Sequence, residues 1–215
     1  MQMRTTPRIT WYFDFISPYA YLQCEQLDKL PANTKLIVKP ILFAGLLKHW
    51  GQLGPAEIPP KRVFMFQHIV WEAQQKNIEF KLPPVHPFNP LPALRLAIAL
   101  NSEFDAVKAI FRHVWTHGQA PDDLELMNDL VTQLGDANAM ERTSLQSVKD
   151  QLKHNTDEAI TNNVFGVPTL TVNGKIFWGS DSLNFLLDYL QNPDLFDNDS
   201  MRRAQTIPIG QERRR

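Results

Sequence analysis

Ser17 is followed by Pro18, Tyr19 and Ala20, and this run stands where a β-branched, aromatic stretch gives way to apolar residues at helical spacing. A serine at such a junction accepts hydrogen bonds from the free N–H groups of a helix start, and proline is pre-formed for the first helical position. The chain's single cysteine, Cys24, forbids an internal disulfide, a CxxC redox pair or a cysteine-based zinc site, and its place inside the first helix suits a small packed hydrophobe. Any thiol chemistry would therefore use a thiol from outside.

Other chemical signals are sparser. His113 and His117 stand four apart, a spacing that can ligate a metal, yet no HExxH pattern or matching carboxylate accompanies them, and a solvated or packed helix face accounts for the pair. No metal site is expected. Trp50, Phe64, Phe66, Trp71 and Trp115 read as core, with pocket lining as the lesser reading. Lys and Arg total 22 against 23 Asp and Glu, so no overall field draws the chain to nucleic acid or an anionic membrane. The N-terminal stretch has no apolar leader, and no run of about 18 apolar residues occurs, so a soluble cytoplasmic protein is expected.

These residues need a scaffold, and the periodicities supply one. RITWYFDF (8–15) reads as a mostly buried strand, and the helix begun at Pro18 carries apolar spacing to Leu30, where Pro31 stops it. KLIVKPI (35–41) reads as a second strand, so the first three elements form a right-handed βαβ unit. Helical spacing then governs roughly a hundred residues, at 43–50, 60–76, 90–101, 103–116, 122–134 and 141–163, the last with a break expected near 154. Proline-rich loops lie at 54–60 and 82–90. PTLTV (168–172) and KIFW (175–178) flank Asn173-Gly174, the preferred type I′ hairpin pair, and a helix over 181–190 follows. The expected fold class is α/β: a discontinuous thioredoxin-like domain (1–42 and 150–200), an all-helical insertion (43–149) and a mobile basic tail (201–215).

The stretches FDFISPYAYLQCEQL (13–27), HPFNPLPALRLAIA (86–99) and VFGVPTLTVNGKIFWGSDSLNFL (164–186) together resemble 2-hydroxychromene-2-carboxylate isomerases. These group with kappa-class glutathione transferases in the DsbA-like thioredoxin superfamily. The resemblance spans roughly residues 8 to 191. Redox members carry Cys-Pro-x-Cys where this chain has Ser17-Pro18-Tyr19-Ala20, so the sulfur-handling scaffold is present without its own sulfur.

The resemblance implies glutathione as cofactor, with Ser17 as the catalytic residue beside its sulfur. It implies a cis Val167-Pro168 bond facing that turn and offering backbone groups to the tripeptide, and Ser180 with Asp181 binding the γ-glutamyl end. A small aromatic substrate is implied between sheet and insertion, near Lys48, Gln52, Arg62 and Asn89. Where characterised isomerases continue their lysine motif with Gly-Asn-Arg, this chain has Gly51-Gln52-Leu53; the lost arginine removes a bidentate carboxylate partner, so either Arg62 replaces it or the substrate differs. The implied activity is cis-trans isomerisation of an aromatic unsaturated acid. The alternatives are a kappa-like transferase or peroxidase and a non-catalytic binding protein or chaperone. A homodimer rests on the resemblance alone.

Overall fold

The computed structural model describes residues 6–121 and 123–211. Strand β1 (Arg8–Phe13) organises it, because Ile9, Trp11 and Phe13 make one face apolar and buried Tyr12 on the other face must be covered as well. Ile9, Trp11 and Phe13 enter the larger core cluster, whereas Tyr12 points to a second cluster with Ile41, Leu46, Val164 and Val167. Strand β2 (Lys35–Pro40) lies parallel along one side, and β3 (Thr169–Val172) lies antiparallel along the other. Strand β4 (Lys175–Trp178) completes the order β2-β1-β3-β4. Asn173 and Gly174 both take positive φ (50° and 73°), the left-handed pair that a type I′ hairpin requires.

Helix α1 (Pro18–Cys24) leaves β1 through a buried turn. The expected run to Leu30 is not one helix: α1 ends after seven residues, and a 3-10 turn at Leu27–Lys29 takes up the remainder. Gln26 is the reason, since its side-chain amide donates to the Leu22 carbonyl (2.8 Å), the group that a further helical turn would have used. Helices α2 (Phe43–Trp50), α3 (Pro59–Gln75), α4 (Leu91–Ala99), α5 (Phe104–Trp115) and α6 (Leu124–Gln133) follow the predicted periodicity closely. The single helix expected over 141–163 is two, α7 (Ala139–Arg142) and α8 (Gln146–Thr161). They part at 143–145 rather than near 154, where the Thr143 and Ser144 hydroxyls bond back to the carbonyls of Met140 and Glu141. Because α8 runs unbroken through residue 150, we propose this turn as the end of the insertion.

A 3-10 turn at Ser180–Ser182 leads into α9 (Leu183–Gln191). A short exposed helix, α10 (Asp199–Gln205), lies where no element was expected, capped by Asn198 and bridged by the Asp199–Arg202 ion pair. Such local devices leave no apolar period to read. Residues 212–215, part of the expected mobile tail, lie outside the described residues.

Insertion and sheet share one core. Trp11 stacks on Phe13 (4.3 Å between ring centres), and Phe111 of α5 packs on Phe13 and Phe15 (5.4 and 4.6 Å). Trp115 is fully buried, and Trp50 and Phe66 are partly so. Phe64 and Trp71 overturn the core reading: they are 64% and 55% exposed, on the outer face of α3 with His68 stacked between them. No described helix is long and apolar enough to cross a membrane.

One buried side chain ties three elements. Gln23 of α1, with no exposed surface, accepts from the Trp11 indole N–H (2.8 Å) and donates to the Gly179 carbonyl ahead of α9 (2.9 Å). Replacing Gln23 with methionine keeps the volume but strands the buried Trp11 indole N–H, while the Gly179 carbonyl keeps the Ser182 hydroxyl as a donor (2.9 Å). The expected loss is about 1–3 kcal/mol of unfolding free energy, measured by urea denaturation. A loss under about 1 kcal/mol would show that the bridge is not structural.

Candidate active site

Ser17 sits at the N-cap of α1, buried, and its Oγ accepts from the Ala20 N–H at 3.2 Å. The hydroxyl's own proton finds no acceptor among the described residues, so it is available to a ligand. The turn that carries it is held by an unusually full set of partners. Ser17 N–H donates to the Asp14 carbonyl (3.1 Å), the Trp115 indole donates to the Phe15 carbonyl (2.9 Å), and His86 Nε2 lies 2.9 Å from the Ile16 carbonyl. Facing a carbonyl, that nitrogen carries the proton. Burial then pulls the His86 pKa below its usual value, offset by the Ile16 bond and reinforced by the Arg62 charge.

Asp14 supplies the other half of the knot. Its carboxylate accepts from Ile16 N–H (3.0 Å) and from Phe43 N–H (2.9 Å), which opens α2. Complete burial pushes its pKa up to about 7, against the pull of those two donors. A charged residue in the apolar stretch YFDF was the visible signal for it; its partners were not visible.

The Val167–Pro168 bond is cis, and the Pro168 carbonyl accepts from Gly179 N–H (2.9 Å). Gly179 takes φ +94°, and a Cβ there would lie 2.5 Å from Asp181 Oδ1, so only glycine lets the Asp181 carboxylate fold back over this turn. The N–H groups of Ser180 and Asp181 find no acceptor among the described residues. Gln23 fixes this turn against α1, so the first turn of α1 and the Ser180-Asp181 step are held in register. A hydroxyl donor, two free N–H groups and a carboxylate are a donor set that suits a ligand with anionic and ammonium groups.

A model described as a DSBA-like thioredoxin domain matches residues 8–191. The chain belongs to the DsbA-like thioredoxin family. A Pseudomonas putida protein named 2-hydroxychromene-2-carboxylate isomerase is 31% identical over 191 residues, covering 84% of this chain and 92% of its own. A Caenorhabditis elegans protein named glutathione S-transferase kappa 2 is 30% identical over 209 residues, covering 86% and 92%. A solved structure of 2-hydroxychromene-2-carboxylate isomerase matches at TM-score 0.76 and 26% identity, covering 90% of this chain and 98% of that one. The thioredoxin-like fold and the resemblance read from the sequence both stand.

Within this DsbA-like chain the expected substrate residues do not gather in one place. Arg62 lines a cleft of about 310 Å³ with Phe66, Gln67, Leu82, Pro83 and His86, reached from the Ser17 turn through the His86–Ile16 bond. Its guanidinium lies 5.6 Å from the centre of the Phe66 ring, donates to the His86 carbonyl (2.8 Å), and has no carboxylate within ion-pair reach among the described residues. Lys48 and Gln52 stand exposed at the far end of α2, which is anchored by the Trp50 indole donating to the Val164 carbonyl (2.9 Å). Asn89 is exposed, and its side chain accepts from Leu91 N–H (3.1 Å) at the start of α4.

Three residues not assigned to the site from the sequence lie beside the Ser17 turn and the Ser180 step: Glu72 and His68 of α3, and Tyr19 of α1. The Tyr19 hydroxyl lies 3.4 Å from His68 Nδ1, and Ser180 Oγ donates to Glu72 (3.3 Å). Burial raises the Tyr19 pKa, with further lift from the Glu72 and Asp181 charges, so the phenol stays protonated. Cys24 is fully buried, and burial drives its thiol pKa upward, which removes the nucleophilic form. No group of three His, Cys, Asp or Glu side chains gathers among the described residues.

The Asp14 environment sets a pH response. Its folded pKa of about 7 lies above the ordinary 3.8, so the protonated form is the one folding prefers. That contribution is fully present below the unfolded pKa and is lost as pH rises through the folded one. The stability of the wild type relative to Asp14→Asn is therefore expected to fall between about pH 4 and pH 7, as followed by urea unfolding at fixed pH values. A difference independent of pH would contradict the raised pKa.

Proposed function

We propose that the protein is a glutathione-dependent cis-trans isomerase acting on an aromatic unsaturated acid. The observation that carries this reading is the Gln23 bridge, which holds the helix of Ser17 in register with the Ser180-Asp181 step and so provides for both ends of an extended tripeptide. Sequence similarity to proteins named as isomerases of this kind supports it. Glutathione, when bound beside Ser17, would supply a thiolate nucleophile for reversible covalent catalysis at a conjugated carbon.

The residues of the chain supply binding, orientation and charge stabilisation. Ser17 donates its uncommitted O–H to the sulfur position, lowering the cost of the anion there. The backbone at Val167, set by the cis bond to Pro168, pairs with the cysteinyl unit. The free N–H groups of Ser180 and Asp181 take the glutamyl carboxylate, and the Asp181 side chain takes the ammonium. In the cleft, Arg62 is an unpaired guanidinium beside an apolar wall and an aromatic face, which suits the carboxylate and ring of an aromatic acid. Neither Lys48 nor Gln52 lines this cleft.

Similarity to a kappa-class transferase favours a second outcome on the same site, in which the sulfur stays bonded to product. Counting glutathione before and after turnover decides between them, because an isomerase consumes none.

Ser17→Ala is expected to lower kcat/KM about 10²-fold while the Kd for glutathione moves less than about threefold, since the hydroxyl acts on charge present mainly in the reacting complex. Turnover at the wild-type rate would reduce Ser17 to a helix cap. Cys24→Ala is expected to keep kcat/KM within about twofold, a barrier change of roughly 0.4 kcal/mol. A large loss with normal unfolding behaviour would move the chemistry to Cys24.

A further inference from the structure

Glu72 lies behind the Ser180-Asp181 step, and neither the mechanism above nor the expected site uses it. It is a carboxylate only 8% exposed, on α3 of the insertion, reaching across to the sheet domain. Its Oε1 accepts from Ser180 Oγ (3.3 Å) and Lys76 Nζ (2.5 Å), and its Oε2 lies 3.8 Å from His68 Nδ1. A carboxylate cannot donate, so it orients the Ser180 hydroxyl with the proton toward itself. The Ser180 oxygen then presents only lone pairs to whatever binds at the start of α9.

We propose that Glu72 is a positioning residue which, by fixing the polarity of the Ser180 hydroxyl and adding its own charge behind it, makes this end of the site selective for a ligand bearing an ammonium group. The inference rests on the glutathione reading and deepens it: the glutamyl carboxylate is left to the backbone N–H groups, and the ammonium is read by Asp181, Ser180 Oγ and the Glu72 field together. The neighbourhood agrees, since the Tyr19 phenol between these elements feels the negative charge of both Glu72 and Asp181. Lys76, more exposed and one helical turn from Glu72, offsets part of that charge.

The test compares glutathione with its des-amino counterpart, glutaryl-cysteinyl-glycine, by titration calorimetry on the full chain, so that the readout is a ratio of affinities and not activity. The wild type is expected to prefer glutathione by about tenfold or more, and Glu72→Gln to cut that preference at least about fivefold, mostly by weakening glutathione. Lys76→Gln, a change at a more exposed position that does not threaten folding, is expected to act in the opposite sense and sharpen the preference. Equal weakening of both ligands by Glu72→Gln, or an unchanged ratio in Lys76→Gln, would make Glu72 a structural residue and overturn the proposal while leaving the cofactor reading intact. Binding of neither tripeptide to the wild type would overturn the cofactor reading and this inference with it.

Discussion

A strand that ends inside a protein leaves its last amides and carbonyls without a ladder, and each one left unpaired costs about 1–3 kcal/mol. β1 ends this way, between two core clusters, and the turn from Asp14 to Ser17 must be satisfied by something other than a neighbouring strand. The solution recruits distant parts of the chain. Trp115 of α5 and His86 of the proline-rich loop take the carbonyls of Phe15 and Ile16, and the Asp14 carboxylate takes Ile16 and Phe43 N–H groups. The helical insertion is thereby bonded to the backbone that presents Ser17.

The same constraint explains why a seven-residue helix can serve as the platform. So short a helix has a weak dipole of its own, and Ser17 draws its fixed position from the turn and from Gln23 rather than from helix length. What reaches a ligand is then a single O–H whose direction is set by the backbone. Burial of Cys24 in α1 completes the division of roles, because the one thiol of the chain is held in its unreactive form about two turns away from the hydroxyl.

Much of the architecture was legible because it depends on local rules. Alternation marked β1, Asn173-Gly174 marked the hairpin, and the Ser17-Pro18 cap marked the start of α1. The misses have a common physical cause: periodicity reports a face but not what lies against it. Phe64 and Trp71 follow the apolar spacing of α3, yet they fall on its solvent side, where His68 stacks between them. Gln26 and Thr143 ended helices through side-chain bonds that no apolar pattern encodes. Asp14, Gln23, Glu72 and His86 are polar residues whose importance comes largely from partners distant along the chain, as the Trp11 and Gly179 bonds of Gln23, 12 and 156 positions away, show.

The charges around the site are arranged in order rather than scattered. Glu72 and Asp181 lie toward α9, and their charge adds to the burial that keeps the Tyr19 phenol protonated. In the cleft joined to the Ser17 turn by His86, Arg62 has no acidic partner among the described residues, and burial lowers the His86 pKa. A ligand carrying an ammonium group at one end and placing negative charge near Ser17 matches this polarity, whereas the reverse orientation would set like charges together at both ends. Orientation of the bound tripeptide in the proposed reading therefore follows from the placement of four side chains on three separate elements, while the Gln23 amide ties the Gly179 turn to α1 and the Asp14 carboxylate ties the start of α2 to the Ser17 turn.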